Sequence, residues 1–236
     1  DPLDDIDVER FDSDKNKALK ECQLGLNWLK QGHEERLQGL RVFCEHRDPR
    51  ALDLLLPLLL EPSPVERMSA VYALGRNPSP SAVDTLLELL ETDSNAYVRK
   101  AAAWSLGNYS DFPVMKSLIR SLHNDVAAVR LWAASSLAEV GSISIEKAQN
   151  VVKELLLSLR IDQEPLVRSN CIWSLGRLYE NISDSVKKEV SEGLFIVLLN
   201  DIEPSVRYES RIALEQIKNS DVALRLKNLI EEGLLL

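Results

Sequence analysis

The chain has 236 residues, with 28 Lys and Arg against 37 Asp and Glu and a formal charge of -9; this argues against a nucleic-acid partner, because phosphate-backbone affinity comes from clustered cations. An apolar share of 45% with 28% charged residues is that of a folded soluble chain, and no apolar run approaches the roughly 20 residues needed to cross a bilayer. Three widely spaced cysteines, Cys22, Cys44 and Cys171, form no disulfide framework and suit a reducing compartment such as the cytoplasm.

Residues 1–14 are acidic, have few periodic apolar positions and do not resemble a signal peptide; they read as a tail in front of a single repeat domain over 15–236. Asp14 or Ser13 is placed to cap a first helix running to about Gln31, with Ala18, Leu19, Cys22, Leu26 and Leu29 at helical spacing, and Gly32 ends it. A second helix, Glu34 to Glu45, follows. From there the pattern alternates helix A, turn, helix B, loop. The A helices are the leucine-rich runs near 50–60, 80–91, 112–123, 145–160, 184–199 and 220–233.

Each B helix begins just before a Val-Arg pair or its equivalent. Pro64, Pro165 and Pro204 sit in the first turn of B, where the missing amide has no intrahelical partner to lose. Gly75, Gly107 and Gly176 mark where B ends or comes close to the next element. Three apolar residues, Leu234, Leu235 and Leu236, close the chain, either folded back on the last repeat, against a partner, or frayed.

The units are copies of one another. Arg67, Arg99, Arg130, Arg168 and Arg207 recur at intervals of 31 to 39 residues, and a degraded copy surrounds Arg36. An acid precedes the arginine by six positions in four copies (Glu61, Asp93, Asp162, Asp201) and by five in the other (Asp125). Counting the arginine as position 1, positions 4 and 7 are small and position 8 is leucine in every copy: Ala102, Ser105 and Leu106, for example, or Cys171, Ser174 and Leu175. Such self-similarity means stacked helical pairs, each unable to bury its apolar face alone.

Stretches such as Val98-Arg99-Lys100-Ala101-Ala102-Ala103-Trp104-Ser105-Leu106-Gly107 and Val167-Arg168-Ser169-Asn170-Cys171-Ile172-Trp173-Ser174-Leu175-Gly176 resemble the HEAT-repeat family, and more narrowly the HEAT-like repeats of phycobilisome bilin lyases. The likeness covers about residues 34 to 233. It implies an all-α, right-handed α-α superhelix of about six helical pairs, with the B helices lining a concave groove. It also implies a ladder of acid and arginine, carried here by Asp93 with Arg99, Asp162 with Arg168 and Asp201 with Arg207, and a distorted rung at Asp125 and Arg130.

Position 6 of helix B points away from the side marked by positions 4, 7 and 8. Its occupants include Tyr72, Trp104 and Trp173, residue types that dominate recognition surfaces; the competing expectation is that the rings pack sideways between B helices. Arg76, Lys100, Arg177 and Tyr208 lie at neighbouring angles, and together these seven residues form the candidate partner-binding set, suited to an acidic or amphipathic segment. No catalytic constellation stands out, His33, His46 and His123 have no partner at a meaningful spacing, and Cys44-Glu45-His46 lacks the further ligands of a metal site. The reading is therefore a protein-binding scaffold that takes a helix or extended segment, with no metal and no cofactor of its own and no oligomeric state assigned. The resemblance adds two alternatives, a bilin lyase or lyase-like chaperone for a phycobiliprotein, and a partner of an iron–sulphur carrier in a photosynthetic organism, with the plastid stroma as a second location.

Overall fold

A computed structural model of the chain describes the backbone of residues 2–235 and the side chains of residues 15–235. All regular structure within it is helical, built as helical pairs in the order the repeats predict. The helices sort into two units, residues 1–106 and 107–236.

The first unit contains α1 (Pro2–Trp28), α2 (His33–Glu45), α3 (Leu52–Leu55), α4 (Pro64–Arg76), α5 (Val83–Thr92) and α6 (Ala96–Leu106). The break expected near Asp14 does not occur, because the helix runs through from Pro2 to Trp28. The A helix expected over 50–60 is instead one α-helical turn flanked by 3-10 turns at Pro49–Ala51 and Leu56–Leu60. Pro57 explains this, since it donates no amide and its ring collides with the carbonyl four residues back.

The second unit contains α7 (Met115–Asn124), α8 (Ala127–Gly141), α9 (Ile145–Ile161), α10 (Pro165–Leu178), α11 (Asp184–Asn200), α12 (Pro204–Gln216) and α13 (Ser220–Glu231). Helices α2, α4, α6, α8, α10 and α12 are the B helices. Pro64, Pro165 and Pro204 occupy the first turns of α4, α10 and α12 as expected.

The small-residue positions do what their spacing implies. Ala70, Ala73, Ala102, Ser105, Ala133, Cys171, Ser174 and Ser210 are all fully buried at the seams between helices. Their small volume lets backbones approach, and two of the hydroxyls that go inside donate to carbonyls: Ser174 to Ala134 O at 3.0 Å and Ser210 to Leu194 O at 2.7 Å. Leu40, Phe43, Leu55, Leu59, Leu74, Leu86, Leu90 and Leu106 fill the first unit, and Leu118, Leu122, Leu137 and Phe195 anchor the second.

The glycines separate into two kinds. A Cβ on Gly75 would lie 2.4 Å from Trp104 Cζ3, and one on Gly107 would lie 2.8 Å from Ser136 Oγ, so both are close-approach positions. Gly176 differs from expectation: it lies inside α10 and nothing stands within 4 Å of its missing Cβ. At the end of the chain, Leu234 is exposed and its amide bonds back to Leu229 O at 2.9 Å, while Leu236 lies outside the described residues.

The acid–arginine ladder is present with its partners displaced by one repeat. Arg67 grips Asp93 through Nε and Nη2 at 2.8 and 3.0 Å. Arg130 grips Asp162 at 2.7 and 2.8 Å, and Arg168 grips Asp201 at 2.7 Å through both nitrogens. Each arginine therefore holds the carboxylate of the following repeat. Within its own repeat, Nη1 donates to the backbone carbonyl of the acid: Arg67 to Glu61 O, Arg99 to Asp93 O, Arg130 to Asp125 O, Arg168 to Asp162 O and Arg207 to Asp201 O. The side-chain pairs Asp93 with Arg99, Asp162 with Arg168 and Asp201 with Arg207 are thus corrected.

The geometric reason is that the acid caps the A-to-B turn. Asp93, Asp162 and Asp201 each accept the amide two residues on, at 2.8 to 2.9 Å, and this turns the carboxylate toward the preceding repeat. Asp125 lacks that turn, and its Oδ1 takes the adjacent Val126 amide at 2.7 Å. The degraded copy is a working rung: Arg36 Nη1 donates to Glu61 at 2.8 Å, and buried Glu66 lies 3.4 Å from Arg36 Nε and 3.2 Å from His33 Nδ1.

Candidate functional site

The candidate residues do not gather at one point. In the first unit, Tyr72 on α4 and Trp104 on α6 stack on each other, with ring centroids 5.3 Å apart and planes at 55°. Trp104 also lies over Gly75, the residue one turn beyond Tyr72. Neither ring is fully exposed. The sideways arrangement is the observed one for this pair: the missing Cβ of Gly75 makes the seat in which the indole rests. Lys100 lies over the Tyr97 ring with its Nζ 5.6 Å from the centroid, at the start of α6, and exposed Arg76 donates from Nε to Glu45 O at 3.3 Å.

In the second unit the equivalent tryptophan behaves differently. Trp173 on α10 is 48% exposed and Tyr208 on α12 is 62% exposed. Arg177, one turn along α10, stacks its guanidinium 5.1 Å from the Trp173 ring centroid and bridges to Glu139 of α8 at 2.9 Å. Arg177 is therefore not an unoccupied cation on that face. Its charge is neutralised by Glu139, as that of Arg211 is by Glu215 at 2.8 Å.

Three polar side chains, one on this face and two on α9, went unnoticed in the sequence. Asn170 at position 3 of α10 donates its amide to Leu131 O at 2.6 Å and Ser135 Oγ at 2.5 Å, tying α10 to α8 beside Trp173. Only the position-3 spacing marks it, and that spacing does not reveal which carbonyl of another repeat lies opposite. On α9, Glu154 Oε2 hydrogen-bonds His123 Nε2 at 2.7 Å, while buried Ser158 lies 3.4 Å from His123 Nδ1. The spacing of four places Glu154 and Ser158 on one face of α9, and together they clamp the histidine of α7.

The cysteines are engaged or buried. Burial, with help from the Glu45 charge, pushes the Cys44 thiol up to about 11, and its sulphur lies 3.6 Å from Ser69 O. Burial raises Cys171 further still, followed by the charge of Asp162. Thiols held protonated in this way are poor nucleophiles and poor metal ligands. His46 bonds Glu21 at 2.7 Å, and among the described residues no group of three or more His, Cys, Asp or Glu is arranged to hold a metal ion.

A cleft of about 670 Å³ in the second unit runs between α11 and α13, lined by Lys187, Glu192, Phe195, Asp221 and Arg225 among others. Two of its cations are paired locally: Lys187 with Glu180 at 3.0 Å, and Arg225 with Glu192 at 2.5 Å while lying 4.0 Å from the Phe195 ring centroid. No described helix is long and apolar enough to cross a membrane.

The family model for HEAT repeats matches residues 33–107 and 83–176. The chain belongs to the HEAT-repeat family. Solved α-solenoids align with these HEAT repeats along most of the chain. A designed armadillo repeat protein is 18% identical, covering 83% of this chain and 99% of its own, with a TM-score of 0.62. A second designed armadillo repeat protein, in complex with the peptide (KR)4, is 19% identical over 83% of this chain and 98% of its own, also at 0.62. The karyopherin Kap121p, bound to the extreme C-terminus of the protein phosphatase Cdc14p, is 18% identical over 81% of this chain and 22% of its own, again at 0.62. The present chain thus spans about a fifth of that karyopherin's length. Among curated protein sequences none matches this chain.

Proposed function

We propose that these HEAT repeats form a protein-binding scaffold that holds a partner segment, helical or extended, against the exposed face of the B helices. The observation that carries this reading is the exposed pair Trp173 and Tyr208 on successive B helices of the second unit. Large aromatics left half-open to water, one of them braced by a stacked arginine, supply contact area at low entropic cost. Two of the aligned solenoids support it by analogy, one holding a (KR)4 peptide and one a terminal segment of a phosphatase. Bonded as it is to Glu139, Arg177 serves the site by stiffening Trp173, and the residual preference of this face is for apolar and cationic side chains that can lie on the two rings.

The test is selection of binders from a random-peptide phage library on the wild-type protein, followed by titration of the winners against the Trp173→Ala, Tyr208→Ala double variant. Loss of binding with unchanged helical circular dichroism supports the site. Equal affinity for the variant moves recognition elsewhere.

A further inference from the structure

A hollow of about 520 Å³ opens in the second unit between the C-terminal ends of α9 and α11. Helical pairs stand on both sides of it, so neither end of the chain forms one of its walls. Ile161, Ile196 and Ile202 line it, and Ile161 and Ile196 are 64% and 52% exposed. The buried part of the lining is the closed rung of Arg168 and Asp201. Gly193 lets α11 close on α9, since a Cβ there would stand 2.9 Å from Leu156 Cδ2.

Core packing does not call for these isoleucines. On their inner sides α9 already buries Leu155 and Leu159, and α11 buries Val190 and Leu194. A helix packed along one face is expected to be polar on the other, yet Leu157, one turn before Ile161, and Leu199, one turn after Ile196, are exposed as well. The apolar surface therefore extends beyond the hollow itself. Most polar groups of the lining are spent: Arg168 and Asp201 on each other, Asp162 on Arg130, and the Asn200 amide on Ile196 O at 2.9 Å. Arg160 is different. It lines the hollow, is exposed, and among the described residues meets no acid within ion-pair distance.

We propose that this hollow docks an acidic amphipathic helix of a partner protein, with aliphatic side chains one turn apart seated between Ile161 and Ile196 and a carboxylate on Arg160. The volume falls in the range of roughly 300–1,000 Å³ found for binding clefts. Its walls carry apolar residues at helical spacing, which is the pattern that a helix lying in a groove meets with anchors of the same spacing. Arg160 chooses the flank, because an acid beside the anchors gains an ion pair there and a lysine meets repulsion. The site is built from A helices and their turns and shares no residue with the aromatic face proposed above, so each can fail without the other.

The experiment records isoleucine-methyl NMR spectra of the full chain, with two peaks assigned as those lost in Ile161→Val and Ile196→Val. The probe is an end-capped, lactam-stapled helical peptide carrying leucines one turn apart with glutamates beside them; in the control peptide lysines replace the glutamates. Expected are saturable shifts of both peaks with that of buried Ile172 unmoved, binding at these peaks about tenfold weaker for the lysine peptide, and the opposite preference in Arg160→Glu. The Ile161→Ser, Ile196→Ser double variant should lose the peptide while its far-UV circular dichroism stays unchanged. Three results overturn the proposal: no shift at any peptide concentration; equal binding of the two peptides; or peaks that move with the protein's own concentration as it dimerises, which would make a second copy of the chain the occupant.

Discussion

Removing one partner from the rung of Arg168 and Asp201 tests the ladder most directly. Arg168 is 6% exposed and both bonds to Asp201 are 2.7 Å. The carboxylate also caps the turn through the Glu203 amide at 2.9 Å. Asp201→Ala leaves a nearly buried guanidinium edge without an acceptor. A buried pair broken on one side costs about 3–5 kcal/mol, and the edge position lets some water in, so about 3 kcal/mol is expected. Replacing both residues, as Arg168→Met with Asp201→Ala, removes the orphan charge and loses chiefly the turn cap and the Nη1 bonds to Asp162 O and Gln163 O; about 1–2 kcal/mol is expected. The double variant should therefore be more stable than the Asp201→Ala single variant. Urea unfolding followed by far-UV circular dichroism measures both, and in a chain of this length the single variant should melt about 6–12 °C lower. A double variant no more stable than that single variant would refute the view that the cost is an uncompensated charge.

Three further outcomes are expected. Gly75→Ala forces a methyl to 2.4 Å from Trp104 Cζ3 and should destabilise by about 1–3 kcal/mol, whereas Gly176→Ala, with open space and a helical backbone, should stabilise by about 0.5–1 kcal/mol in the same unfolding assay. Burial works to raise the carboxyls of Asp93 and Asp201, but the Arg67 and Arg168 bonds, the amides of Asn95 and Glu203 and the nearby arginine charges outweigh it and hold both below the usual range. Their contribution is thus complete above the unfolded value of about 3.9 and drains away as pH falls below it, so acid unfolding curves of Asp93→Asn, Asp201→Asn should be flatter than wild type below about pH 4. Cys171, fully buried and held protonated by that burial, should react with a disulfide reagent at pH 8 only as fast as the protein opens, a rate that rises with urea; a fast reaction in native buffer would count against its burial.

The architecture was readable because a solenoid writes its packing rule once per repeat. Ala102, Ser105 and Leu106 and their counterparts are spaced by the helix period, so burial at those positions follows from geometry within one helix, and the prolines of α4, α10 and α12 mark first turns for the same local reason. Where local sequence misled, a local cause is visible too: Pro57 cuts the third A helix into short turns.

The partners of the side chains were a different matter. Acid and arginine stand six apart in sequence, which suggested that they bond each other, but Arg67 meets Asp93 across 26 residues, Arg130 meets Asp162 across 32 and Arg168 meets Asp201 across 33. Trp104 and Trp173 hold the same place in their repeats, yet one rests over Gly75 against Tyr72 and the other is left half-open beside Arg177. The sequence by itself determined the helical pairs, their core faces and the family, because those depend on periodicity within a helix. Only the tertiary structure decided which acid Arg67, Arg130 and Arg168 hold and which tryptophan stays exposed, because those depend on what the neighbouring repeat places across the seam.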